Sequence, residues 1–185
     1  MEFDIPTATE QACLDGDAEK LKTFHKKGFP LTDNCPGYAC YGGNLEIVKY
    51  IQSLGYHIEP HLWQACLSKR NEVIYYLIEQ GCKVDEHCFW LTCLNGDVDM
   101  CRFMLKHGAN PNAHGIFNCL FVTCQHGHVN ILKLLVEHGV DLSYQDENGQ
   151  TAVDIAVKYQ KNKVISYIQG EPEYSSWSKL FSMIF

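Results

Sequence analysis

Apolar residues return along this chain at helical spacing, and the pattern restarts six times. Each restart opens on a marked position and closes twelve residues later: Gly16 and Gly28, Gly43 and Gly55, Gly96 and Gly108, Gly127 and Gly139. Lys69 to Gly81 is the same frame with its opening glycine lost. Another frame opens at Gln160 and has Pro172 where the closing glycine is expected. Inside the frame the apolar residues fall four, five, seven and eight positions after the opening one. Ile47, Val48, Tyr50 and Ile51 show this, as do Ile131, Leu132, Leu134 and Leu135. That spacing predicts one buried face of an amphipathic helix. Asp17, Asn44 and Asp97 follow the opening position, where a side-chain oxygen can accept from unpaired helix N–H groups. The closing glycine suits a left-handed helix terminus.

A shorter helix is predicted before each opening position. Four residues before it stand Ala12, Ala39, Ala65, Thr92, Thr123 and Ala156; three before it stand Cys13, Cys40, Cys66, Cys93, Cys124 and Val157. Half of the ten cysteines therefore share one column beside a small residue. That placement reads as close helix packing by a small apolar side chain, not as a disulfide framework.

Repeated helix pairs of this kind resemble the ankyrin repeat, over about residues 7–170. The likeness is carried by Gly139-Val140-Asp141-Leu142 followed by Asp146-Glu147-Asn148-Gly149-Gln150-Thr151-Ala152-Val153-Asp154-Ile155-Ala156. Gly108-Ala109-Asn110-Pro111-Asn112-Ala113 and the run from Gly127 to Leu135 carry it too. The resemblance implies an all-α, ankyrin-type helix-pair solenoid of about six repeats. Their expected bounds are 7–30, 34–57, 60–84, 86–113, 116–145 and 149–170, within a domain at 1–170. Successive opening positions are 27, 26, 27, 31 and 33 residues apart, against a family period of about 33. The shortfall lies where the family places its β-hairpin finger. A complete finger is expected only from Leu142 to Thr151, and a reduced one from Asn110 to Phe117. Such short units resemble ankyrin-like repeats of large DNA viruses and some protists. Lys20 and Thr23 replace apolar residues in the first copy, as a polar outer cap requires. At 171–185, Trp177, Leu180, Phe181 and Ile184 fall at helical spacing. This tail is expected either to cap the last repeat or to dock a partner.

Charge and composition narrow the function. The formal net charge is −7, which disfavours nucleic acid as a partner. The first residues lack a basic start and an apolar run, and no segment reaches the roughly 18–20 apolar residues of a membrane span. A cytoplasmic or nuclear, unsecreted protein is expected, with no membrane partner and a monomeric free state. No phosphate loop, hydrolase or kinase motif is present. Cys124, His126 and His128, and likewise Cys82, His87 and Cys88, cluster in sequence. Cys124 and His128 are already explained by repeat position, so no metal, cofactor or catalytic residue is expected.

Binding of another protein remains. The family likeness implies a groove lined by the ends of the first helices and by the fingers. Carried onto this chain, those positions include Tyr41, Leu67, Ser68, Asn95, Gln125, His126, Lys158 and Tyr159, with Asp146, Glu147, Asn148 and Gln150 on the finger. Trp63, Trp90 and Phe121 share one column in three successive copies. They form either a space-filling aromatic seam or an anchoring patch at the groove wall, which Tyr38 and Tyr41 extend. Trp177 and Phe181 are the anchors if the tail docks. The expected function is a non-catalytic interaction module; the alternative is a structural subunit of a larger viral or organellar assembly.

Overall fold

The computed structural model describes residues 6–170. Among them are twelve α-helices, two 3-10 turns and no strand. The helices come in six pairs: α1 (Ala8–Asp15) with α2 (Ala18–Lys26), α3 (Cys35–Gly42) with α4 (Leu45–Ser53), and α5 (Leu62–Leu67) with α6 (Asn71–Glu79). Then follow α7 (Glu86–Asn95) with α8 (Val98–Lys106), α9 (Cys119–His126) with α10 (Val129–Glu137), and α11 (Ala152–Lys158) with α12 (Asn162–Ile168). They fall into two compact units that divide between Val84 and Asp85.

Within each unit first helices pack on first helices and second on second. In the N-terminal unit α1 lies against α3 and α3 against α5, while α2 meets α4 and α4 meets α6. In the C-terminal unit α7 meets α9 and α9 meets α11, while α8 meets α10 and α10 meets α12. This is the expected helix-pair repeat, built from the residues of the apolar pattern. Ile47, Val48 and Ile51 are buried, as are Ile131, Leu132, Leu134 and Leu135. The five cysteines of the packing column are buried, whereas Val157, which holds that place in the sixth copy, is 55% exposed; all ten thiols are free.

The recurrent glycines have one conformational cause. Gly16, Gly43, Gly96 and Gly127 end the first helices in the left-handed region, and Lys69 and Gln160 adopt that same conformation at φ 57° and 56°. At the other end of each frame the chain leaves the second helix through a left-handed glycine. In five copies the next N–H returns to a carbonyl of the last turn, as Phe29 N–H does to Phe24 and Ala109 N–H to Met104.

Two expectations need correction. The last copy does not lack its closing glycine: Gly170, at φ 70°, holds that place. The second helix α12 is seven residues long instead of nine, so the glycine arrives two residues before Pro172. The segment from Leu142 to Thr151 is not a strand-paired finger. It is a turn whose carboxylate does the closing: Asp146 Oδ1 accepts from the N–H groups of Asn148 and Gln150, each at 2.9 Å. The tail expected at 171–185, with Trp177 and Phe181, lies outside the described residues.

Candidate functional site

A groove opens in the N-terminal unit between α3 and the segment carrying α5. Tyr38 and Tyr41 stand one turn apart on α3; Trp63 and Leu67 stand one turn apart on α5, so each pair shares a helix face. With Asp33, Gly37, His61 and Gln64 they line a cavity of about 270 Å³. Tyr41 is 43% exposed, Trp63 38% and Leu67 48%, whereas Tyr38 is half-buried.

The floor depends on a missing side chain. A Cβ on Gly37 would stand 2.9 Å from Gln64 Nε2 and 3.1 Å from His61 Nδ1. Glycine there lets those two side chains lie against α3. The Gln64 amide nitrogen and His61 Nδ1 share a hydrogen bond of 3.1 Å, and Gln64 Oε1 is buried with no partner. Burial lowers the His61 pKa, so its neutral form is favoured. Arg70 sits at the edge, its Nε–H donating to the Tyr41 carbonyl at 3.0 Å.

Other positions singled out by sequence are elsewhere or already engaged. The Ser68 hydroxyl donates to the Gln64 carbonyl of its own helix at 2.8 Å. Trp90 is half-buried, its ring 6.0 Å from Phe117 and 6.5 Å from His87. Phe121 likewise packs 5.6 Å from Tyr144. In the C-terminal unit an aromatic on a first helix therefore meets an aromatic from the connection before the next first helix. That is a space-filling arrangement, unlike the half-open site of Trp63.

Asn95 and Gln125 are half-buried at the ends of α7 and α9, and His126 is exposed. The His126 and His128 rings stack at 5.8 Å, and burial, then the His128 and Lys161 charges, lower the His126 pKa. Lys158 lies over the exposed Tyr159 ring at 5.7 Å. Glu147 and Asn148 are exposed, Gln150 is half-buried, and Asp146 serves the turn. Sequence reasoning had singled out Leu67 with Ser68 but not Gly37, His61 or Gln64 as groove residues, nor Ile116, which stands 83% exposed. The exposed Tyr41 and Leu67 stand two residues before the opening position and Tyr159 one before it, which was the signal available.

Among the described residues no three His, Cys, Asp or Glu side chains converge as a metal site. One thiol is chemically distinct. Hydrogen bonding from Cys13, helped by Thr32, lowers Cys35 to about 6 against the opposing effect of burial. Both sulfurs are buried.

The family described as ankyrin repeats (3 copies) matches residues 89–175. Residues 89–175 carry ankyrin repeats. The matched span begins in α7 and so covers the repeats of the C-terminal unit; the groove at 33–67 lies before it. A search of curated proteins found no match. Among solved structures, one chain of "Bd0816 Predatory Endopeptidase from Bdellovibrio bacteriovorus in complex with immunity protein Bd3460" is similar, with a TM-score of 0.73 and 22% identity. The match covers 90% of this chain and 98% of that one. At that identity the likeness is one of fold. No helix among the described residues is long and apolar enough to cross a membrane.

Proposed function

We propose that this ankyrin-repeat protein is a non-catalytic interaction module that holds a segment of a partner protein in the groove of its N-terminal unit. The observation that carries the reading is the cluster of exposed apolar side chains, Tyr41, Trp63 and Leu67, around a cavity of about 270 Å³. Large aromatic side chains are frequent anchors of protein interfaces. Short helices joined by tight turns hold them in fixed rows, so little side-chain freedom is lost on binding. The similar chain of known structure comes from a complex of two proteins, which fits a binding role for this fold.

A photo-crosslinking amino acid placed at Leu67, with a second placed at Glu79 as control, tests the proposal in cell extract. Adducts with a partner are expected at position 67, little at position 79, and loss of the first on Trp63→Ala. Equal labelling at both positions, or labelling indifferent to Trp63→Ala, would rule the groove out.

A further inference from the structure

The groove has a chemical polarity as well as a shape. Among the described residues Asp33 is its only lining carboxylate and no Lys or Arg lines it, Arg70 at the edge being held at the Tyr41 carbonyl. Asp33 is exposed and forms no ion pair among the described residues. The remaining polar lining includes the Gln64 amide, whose Oε1 lacks a donor, and His61, which burial holds toward its neutral form. The groove thus combines aromatic walls with acceptors left over and a negative charge at its mouth. Its volume of about 270 Å³ falls below the roughly 300–1,000 Å³ of small-molecule sites. One long side chain fits that description better than a cofactor does.

We infer that the partner segment inserts an arginine side chain here. The apolar stem of arginine packs along Tyr41 and Leu67, and its planar cation is favoured beside aromatic rings. Its five N–H donors have a ready taker in the Asp33 carboxylate and a second in the Gln64 carbonyl once that buried amide turns toward the groove. A glutamate would meet Asp33 with like charge. A leucine would fill the groove and leave both acceptors unanswered. Lysine carries the charge but is a strongly hydrated point cation, less suited to an aromatic slot.

This inference rests on the groove being the binding site, and its test separates the two claims. A random peptide library displayed on phage is panned against the full chain. An enriched peptide is then synthesised with its arginine kept, or replaced by norleucine or by glutamate. Binding of each is measured by fluorescence anisotropy to the native chain and to Asp33→Asn, Trp63→Ala and Val157→Ala, with circular dichroism as the check on folding.

The enriched peptides are expected to share one arginine. Norleucine should weaken binding about tenfold on the native chain and much less on Asp33→Asn. Val157→Ala should change nothing. Peptides that lack a cation yet are lost on Trp63→Ala would overturn the arginine and leave the groove standing. Peptides indifferent to Trp63→Ala, or no enrichment at all, would overturn both. Occupation by the chain itself is read in the same assay. A tenfold gain in peptide affinity on truncation after Gly170 would assign the groove to the tail, and self-association lost on Trp63→Ala would assign it to a second copy; either result overturns the proposal.

Discussion

Thr123 stands in the packing column that four copies fill with alanine, fully buried, and its hydroxyl has no hydrogen-bond partner among the described residues. Thr92, in the same column, avoids that penalty by donating to the Cys88 carbonyl at 3.0 Å. A buried unpaired polar group costs about 1–3 kcal/mol. Thr123→Ala should therefore raise stability by about 1 kcal/mol, after the lost methyl contact is discounted; urea denaturation reads the change. Gly42 marks the opposite case. A Cβ there would lie 2.2 Å from the Cys13 carbonyl oxygen, which is backbone and cannot swing away. Gly42→Ala should force α1 and α3 apart at a cost of about 1–3 kcal/mol, seen as a lower melting temperature. Glu10 adds a pH dependence. It is buried and accepts from the Thr7 N–H, the Thr32 hydroxyl and the Asn34 amide. The Thr32 hydrogen bond is the leading cause of its lowered pKa. A carboxyl with a lowered folded pKa stabilises the fold above its unfolded value and loses that contribution as the pH falls through the folded value. Glu10→Gln should then be less stable than the native chain at neutral pH. The gap should begin to close below the ordinary glutamate value of 4.5.

At the scale of elements, helix pairs are held by their turn geometry, and three of them also by a side-chain strap to the preceding repeat of the same unit. Asn44 caps α4 through its oxygen and donates its amide to the Gly16 carbonyl at 2.8 Å. Arg70 reaches the Tyr41 carbonyl, and His128 Nε2 lies 3.3 Å from the Leu94 carbonyl. Different side chains thus meet one need, the unpaired carbonyls where a first helix ends. The left-handed position between the helices is filled by Lys69 and Gln160 in two copies. A side chain there costs roughly 1–2 kcal/mol. Lys69→Gly and Gln160→Gly should each stabilise by about 1 kcal/mol, read from denaturant midpoints. These helix pairs were legible in the chain because a left-handed residue every repeat and four apolar positions per turn face are local requirements. The closing glycine of the last copy was misplaced because its helix is two residues shorter, and no local residue announces that shortening. The finger from Leu142 to Thr151 matched its family motif, yet its spacing is satisfied equally by a turn closed on the Asp146 side chain.

On the scale of the molecule, three helix pairs bury a core within each unit, and three is about the smallest number of repeats that supplies one. In the C-terminal unit Leu120, Cys124, Leu132, Ala152, Ala156 and Val164 form such a core among themselves. A fragment of residues 85–170 should fold alone; a cooperative loss of helical circular dichroism in urea would confirm it, and a gradual slope would refute it. The groove proposed for binding was only partly legible. Tyr41 announced itself at a variable position, and Trp63 in the aromatic column that Tyr38 extends. Gln64 and His61 did not, because their role arises from the absence of a Cβ at Gly37, and a glycine inside a helix carries no label saying what will lie against it. The burial of every cysteine has a practical corollary. A thiol reagent cannot reach these sulfurs until the surrounding helices part, so the rate at which each one is alkylated becomes a clock for local opening. Ten such clocks are spread from Cys13 to Cys124, and mass spectrometry of a timed alkylation would rank the repeats by how readily each one breathes.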